Sequence, residues 1–325
     1  MRALLSDLGE PQRTYPSIHV VGTNGKTTAT HTIAALLRAE GLRTGAYTSP
    51  HVRSWAERII LDGDEVDFER AIARVRSPAE SLDATQFEVL TAAALTEFRE
   101  AEVDVAVVEA GLGGRLDATN VVDAPVVLLT NVSLEHTDVL GDTPEQIAKE
   151  KLAVAHAARV VVLPDNTFAH LVPPTARIVL GGARHAAEAF LGREVDGDVQ
   201  VALPGRLERR GDDVWDGAHT PEAVAWLLER LPRRDYVLCV SILRDKDADR
   251  MLRRLSEAGR TLVATQSSNP RALPAGELAD SAAPHFERVE AVDDPVAALA
   301  RAHELGDAVL ATGSLYLLAD LSKRE

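Results

Sequence analysis

Short apolar runs alternate with helical periods along nearly the whole chain, and this alternation limits the possible folds more than any other feature. Asp104–Glu109 and Val126–Val132 are near-continuous apolar runs, as strands of a parallel sheet covered on both faces require. Ser17–Val21, Thr44–Thr48 and Arg159–Leu163 read as further strands, and Arg58–Val66 as a hairpin around Asp62-Gly63. Thr27–Glu40 and Gln86–Arg99 read as helices. The first sets Ile33, Ala34, Leu36 and Leu37 on one stripe and stops at Gly41. Thr143 can cap a helix that starts at Pro144, with Gln146 completing a capping box. The second half repeats the pattern. Its strands are Tyr236–Ile242, Arg260–Thr265, Arg288–Val292 and Ala308–Thr312. Its helices are Glu222–Leu231, Ala248–Ala258, Ala275–Ala282, Pro295–Glu304 and Leu315–Ser322. Two doubly wound α/β sheets are therefore expected. The connecting stretch Gly181–Gly217 is rich in Gly and charge, and a break near Pro204–Gly211 divides the chain into domains 1–205 and 206–325.

Composition excludes several classes. The formal net charge is −15, so phosphate backbones repel the chain and nucleic acid is not expected as a partner. A small anion in a local basic pocket remains possible. The single cysteine, Cys239, rules out an internal disulfide and a thiolate metal cluster, and reads as a buried structural thiol. No segment approaches the roughly 18 apolar residues of a membrane span. The first fifteen residues carry Asp7, Glu10 and Arg13, unlike a signal peptide. A cytoplasmic protein with no membrane partner is the expectation.

The chemistry concentrates in Gly22-Thr23-Asn24-Gly25-Lys26-Thr27-Thr28, which follows a strand and opens a helix. That is the context of a phosphate loop. Glycines let backbone N–H groups approach phosphate oxygens, the helix N-terminus adds its dipole, and Lys26 adds a charge. Glu109 ends an apolar strand and precedes Gly111-Leu112-Gly113-Gly114, whose glycines leave room for a substrate; a carboxylate there can hold Mg²⁺. His136 lies beyond the next strand, on the same expected edge. Ser49 and His51 read by themselves as turn residues. Glu145 and Lys149 are four apart and suit a solvated ion pair. Lys151 is then turned about 200° from Lys149, toward the body of the domain. In the second half, Asp216-Gly217-Ala218-His219 precedes a helix that Thr220 can cap; an Asp there can bind a ribose or simply form a turn.

Together these pieces resemble the folylpolyglutamate synthase / dihydrofolate synthase branch of the Mur ligase superfamily. The matching segments are collinear: HVVGTNGKTT (19–28), TSPH (48–51), QFEVLTAA (86–93), EAGLGGRLDATN (109–120), LEHTDVLGDT (134–143), IAKEKL (147–152), PGRLE (204–208), DGAHTP (216–221), DKD (245–247) and TGSLYL (312–317). The resemblance implies a P-loop central domain of the Mur ligase type followed by a smaller Rossmann-like domain. It implies an ATP- and Mg²⁺-dependent ligase, monomeric, joining L-glutamate to a pteroate or folate carboxylate through an acyl phosphate. It makes Thr23, Asn24, Gly25, Lys26, Thr27 and Thr28 the phosphate cradle. Ser49, Glu109 and His136 become the metal shell, with Lys26, His136 and Lys151 catalytic and Lys151 carried as a carbamate. Arg206, Asp216 and His219 become nucleotide contacts, and the nucleotide lies between the domains. This sequence departs from the family pattern in several ways: only 21 residues precede Gly22, the region between Leu163 and Pro204 is shorter than usual, the family's asparagine near the adenine has no clear match around Ala183–Phe190, the loop reads GKTT, and Thr220 stands where Asn is usual. A Mur-type ligase acting on a cell-wall precursor, a nucleotide-binding relative without ligase activity, and a P-loop kinase or GTPase are the alternatives.

Overall fold

In the computed structural model the first compact unit, Met1–Val201, holds an eight-stranded sheet. The structure describes residues 1–134 and 136–323. Glu135, inside the LEHTDVLGDT segment, and the last two positions of the second domain lie outside the described residues. The strands are β1 (Ser17–Val21), β2 (Thr44–Tyr47), β3 (Ile59–Leu61), β4 (Asp64–Glu65), β5 (Val105–Glu109), β6 (Val126–Leu129), β7 (Val160–Leu163) and β8 (Arg177–Leu180). Their order is β4-β3-β2-β5-β1-β6-β7-β8, parallel from β2 to β8, with β3 and β4 antiparallel at one edge. The helices are α1 (Arg2–Asp7), α2 (Lys26–Ala39), α3 (Phe68–Ser81), α4 (Gln86–Glu100), α5 (Thr137–Leu140), α6 (Pro144–Leu152) and α7 (Ala183–Leu191).

Both faces of the central strands are buried, which is why these strands are apolar throughout rather than alternating. Val105 and Val107 pack with Ile33, Leu36 and Leu37 of α2, while Ala106 and Val108 pack with Leu95 and Phe98 of α4.

Four features differ from the sequence reading. Helix α3 stands where no element is expected. Asp67 caps it by accepting from the Arg70 N–H, and Ala71, Val75 and Ala79 form its buried stripe. Its charged residues thin the apolar pattern, and Pro78 inside it normally signals a helix end. The α1 and α7 helices and the exposed edge strand β8, each short, also stand where no element is expected. The strand expected over Val126–Val132 stops at Leu129, because Thr130 and Asn131 turn their side chains to the phosphate loop. Glu145 pairs with His170 at 2.6 Å, the partner expected to be Lys149.

The second unit begins at Ala202, four residues before the break drawn from the sequence. The Gly205 N–H donates to Glu208 and the Gly205 carbonyl accepts from the Gly217 N–H, so this turn folds with the second unit. Its strands are β9 (Glu208–Arg210), β10 (Asp213–Asp216), β11 (Val237–Val240), β12 (Thr261–Ala264), β13 (Arg288–Ala291) and β14 (Val309–Thr312), in the order β13-β12-β11-β14-β10-β9. All pairs are parallel except the β9–β10 hairpin, which lies in the stretch read as a connection. The helices α8 (Pro221–Arg230), α9 (Ala248–Leu255) and α10 (Ala275–Ala282) bury Leu227, Leu252 and Leu278 in one core. Helices α11 (Pro295–Leu305) and α12 (Leu315–Ser322) pack on β11 and β14. Cys239 is fully buried on β11, and burial pushes its thiol up to about 12, so it is the inert structural thiol expected. Among the described residues no helix is long and apolar enough to cross a membrane.

His19 sits at the centre of β1 with no solvent exposure. Its Nε2 shares a 2.9 Å hydrogen bond with Thr119 Oγ1, and the Thr119 hydroxyl donates to Asp117. Burial, with a smaller contribution from His156, pushes its pKa down to about 3 from the usual 6.5. Protons therefore bind the unfolded chain in preference to the folded one. The neutral imidazole's contribution to stability is complete above about pH 6.5 and is lost as pH falls toward 3, by up to roughly 5 kcal/mol. Urea denaturation of wild type and His19→Gln from pH 3 to 7 should show the wild-type curve falling more steeply in that window. A pH-independent difference between them would show that His19 does not titrate on unfolding.

Candidate functional site

Strands β2, β5, β1 and β6 are adjacent and parallel, so the loops after Tyr47, Glu109, Val21 and Leu129 all leave the same edge of the first sheet. In open α/β sheets this carboxyl edge is where ligands bind. The loop after β1 is the phosphate loop. Gly22 has φ 146° and an added Cβ would lie 2.0 Å from Thr130 Oγ1, so only glycine fits beside β6. Gly25 is the N-cap of α2 with φ 79°, and nothing lies within 4 Å of where its Cβ would be. Backbone N–H groups and the helix N-terminus thus meet an open space suited to an anion. Lys26 Nζ donates to the carbonyls of Gly22 at 3.0 Å and Thr23 at 3.1 Å. Thr28 is exposed on the first turn of α2.

The segment after β6 is laced to this loop. The Thr23 N–H donates to the Asn131 carbonyl, and the Asn24 N–H donates to Asn131 Oδ1 at 2.9 Å. Asn131 Nδ2 and Thr130 Oγ1 both donate to the Asn24 carbonyl, at 3.1 and 2.7 Å. Nothing in the composition of the run 126–132 singles out these residues; the only cue is that polar Thr-Asn directly follows a buried strand.

Glu109 is 1% exposed at the end of β5. Its carboxylate accepts from Thr27 Oγ1 and from the Ser49 N–H, each at 3.2 Å. Three expected site residues from three different strands' ends therefore meet. The carboxylate and the Thr27 hydroxyl offer oxygen, the donor chemistry that suits a hard cation such as Mg²⁺, and Ser49 is brought beside them through its backbone N–H. His136 is exposed, in the left-handed region at φ 46°, as the N-cap of α5. Among the described residues no group of three His, Cys, Asp or Glu side chains is close enough to hold a metal. Mg²⁺ usually keeps waters and takes one or two carboxylates plus phosphate oxygens, and the set around Glu109 fits that habit.

Helix α6 does for Lys151 what its spacing predicts. Thr143 and Gln146 form the capping box, Lys149 is exposed, and Lys151 is 2% exposed. Lys151 Nζ donates to the Gly22 carbonyl at 2.8 Å. Lys26 reaches the same oxygen. The glycines of the loop after β5 have a different role from the one expected. An added Cβ at Gly111 would meet the Phe87 ring at 2.5 Å, and one at Gly114 would meet the backbone carbonyls of Glu150 and Lys151 at 2.6 Å. These glycines allow close packing against α4 and α6; they do not open space for a substrate.

In the second unit, Asp216 is 5% exposed and its carboxylate accepts from the Leu207 N–H at 2.7 Å and the Ala218 N–H at 2.8 Å. Burial raises its pKa, opposed by those two bonds and by Arg206. Arg206 Nη1 donates to the Gly205 carbonyl, and a His219 ring nitrogen shares a 2.8 Å bond with the Gly217 carbonyl. Asp216, Arg206 and His219 thus sit in one turn cluster, which Asp216 organises.

The model of the Mur ligase middle domain matches residues 20–189, and that of the Mur ligase glutamate ligase domain matches residues 205–315. The dihydrofolate synthase/folylpolyglutamate synthase of Mycobacterium tuberculosis is 34% identical over 87% of this chain and 77% of its own. The crystal structure of M. tuberculosis folylpolyglutamate synthase complexed with ADP and AMPPCP superposes with a TM-score of 0.91 at 31% identity, covering 99% of this chain and 94% of that one. The Yersinia pestis bifunctional folylpolyglutamate synthase/dihydrofolate synthase with Mn, AMPPNP and L-glutamate bound gives 0.85 at 28%, covering 99% and 92%. With two successive domain models in register and a relative of this identity covered over most of its length, the chain belongs to the folylpolyglutamate synthase/dihydrofolate synthase family of Mur ligases.

Proposed function

We propose that the chain is an ATP-dependent ligase that joins L-glutamate to the carboxylate of a pteroate or folate, in the cytoplasm and as a monomer. The observation that carries this reading is the convergence, on one sheet edge, of the phosphate loop, the Glu109–Thr27–Ser49 cluster and the buried Lys151. Support for the substrates comes from the relatives' names and from the ADP, AMPPCP, AMPPNP, Mn and L-glutamate in their structures.

The γ-phosphoryl group passes to the acceptor carboxylate, and the resulting acyl phosphate is attacked by the glutamate amine with release of phosphate. Lys26 and the N–H groups of residues 25–28 hold the outer phosphates, and Lys26 offsets the charge of the transferring group. A Mg²⁺ held by Glu109 and Ser49, with His136 as a further ligand, would supply Lewis-acid stabilisation of the phosphoryl oxygens. For Arg206, Asp216 and His219 the reading proposes contacts to the nucleotide.

Lys151 has a physical reason to change charge. Two ammonium groups that donate to one carbonyl oxygen are within about 6 Å of each other, and like charges at that spacing repel by roughly 3 kcal/mol at an effective dielectric of 20. Reaction of the Lys151 amine with CO₂ forms an N–C bond, releases a proton and leaves a carbamate anion, turning this repulsion into attraction.

The defining experiment is ADP release with pteroate, folate and cell-wall precursors, each with and without glutamate. Turnover should require a pteroate or folate together with glutamate; turnover with a cell-wall precursor alone would assign the chain to another Mur branch. Lys26→Ala should lose about 10²–10³-fold in turnover with an unchanged melting temperature, since its charge serves the phosphates rather than the core.

Glu109→Gln should lower activity at least about 100-fold and shift the Mg²⁺ titration. Overlaid titration curves would remove Glu109 from the metal shell.

Lys151→Ala should lose most activity and regain part of it with short carboxylic acids, while Lys149→Ala changes little. Equal effects of the two substitutions, or an unmodified Lys151 mass together with no rescue, would exclude the carbamate.

A further inference from the structure

The lacing between Asn131 and the phosphate loop goes beyond what packing requires. Asn131 and Asn24 bond as two strands would: the Asn24 N–H donates to Asn131 Oδ1 at 2.9 Å, and Asn131 Nδ2 donates back to the Asn24 carbonyl at 3.1 Å. Each amide atom of the side chain is used, and the pairing sets the orientation of the amide, because only Oδ1 accepts and only Nδ2 donates. Thr130 Oγ1 adds a third bond to the same carbonyl at 2.7 Å, and the Asn131 backbone carbonyl holds the Thr23 N–H at 3.0 Å. Thr23 Oγ1 in turn accepts from the Ser133 N–H at 3.1 Å and donates to its carbonyl at 3.3 Å. Four of these groups lie on residues 23–24 and the rest on 130–133, so the two loops form one laced unit.

Asn24 is followed directly by Gly25, whose φ is 79° and around which there is open space. A glycine in that setting has wide backbone freedom. The peptide planes on its N-terminal side are therefore set from outside, by the groups that grip Asn24. Asn131 is exposed and follows β6, and it touches the loop through Asn24 and Thr23. We propose that Asn131 is a positioning residue of the ligase reaction: acting through Asn24, it fixes the Asn24–Gly25 turn so that the loop N–H groups are aimed before the nucleotide arrives. The role rests on the reading of this loop as the ATP site.

Preorganisation of this kind acts on binding more than on chemistry. Asn131→Ala removes two hydrogen bonds to Asn24 and should raise the KM for ATP and the Kd for ADP roughly tenfold, more than it lowers kcat. The KM for glutamate should stay within about twofold, and the melting temperature should stay the same. Thr130→Val removes one bond and should give a smaller shift in the same direction.

The proposal and the functional reading are separated by a measurement independent of activity, hydrogen exchange at the Asn24 amide. In wild type this N–H should be protected, and in Asn131→Ala its exchange should approach that of an open loop. Protection lost together with a selective rise in KM for ATP supports the positioning role. Protection lost with KM and Kd unchanged, equal rises in all KM values, or protection kept in the variant overturns it. A wild type that neither binds ADP nor turns over ATP removes the functional reading, and the role with it, whatever the exchange shows.

Discussion

The carbonyl oxygen of Gly22 is the point on which the first unit's chemistry depends. It accepts from Lys26 at the start of α2 and from Lys151 at the end of α6, two elements separated by most of the domain in sequence. For both to arrive there, β1 must end beside β6, α6 must be anchored at its capping box, and Gly22 must lack a side chain because Thr130 occupies that space. The parallel order β2-β5-β1-β6 then brings Ser49, Glu109, the phosphate loop and the Thr130–Ser133 segment to the same edge without further specification. The site is a consequence of strand order, and strand order is a consequence of burying apolar strands on both faces.

The charge distribution follows the same logic. A chain with a net charge of −15 is a poor general host for anions, yet ATP, a carboxylate and an acyl phosphate are all anionic. Positive charge is therefore concentrated. Lys26 and Lys151 converge on one oxygen, and the N-terminus of α2 adds its dipole. Lys151, 2% exposed, is held there out of contact with solvent.

What could be read from the sequence follows from how much each element depends on itself. Strands β1, β5, β6, β7, β11 and β14 announce themselves because a strand buried on two faces must be apolar. Helix α6 is legible to the residue, since Thr143, Pro144 and Gln146 act locally. Lys151 against Lys149 is legible from the helical angle alone. By contrast, α3 hides its stripe of Ala71, Val75 and Ala79 among charges and carries Pro78, while β8 and β9 lie at sheet edges where apolar runs are not needed. His19 is illegible as well: a histidine inside an apolar strand gives no sign that its partner will be Thr119, a hundred residues away.

The glycine-rich segment after β5 shows where motif reading and physical reading separate. Gly111-Leu112-Gly113-Gly114 looks like a second substrate loop, because glycines beside an acid commonly mark close ligand approach. The contacts assign the closeness to the protein itself. Gly114 lies where a Cβ would strike the Glu150 and Lys151 carbonyls at 2.6 Å, and the Arg115 N–H donates to Glu150. Asp117 then ties the loop back on itself by accepting from the Leu112 N–H, and Thr119 ties Asp117 to His19 in the core. The loop is therefore a rigid bracket between β1 and the last turn of α6, the turn that carries Lys151. Glu109 stands at one end of this bracket and Lys151 rests against the other. Their separation is set by backbone packing that only glycine permits, and the flexibility usually credited to such a segment would work against holding an anion and a cation at fixed places around one phosphate.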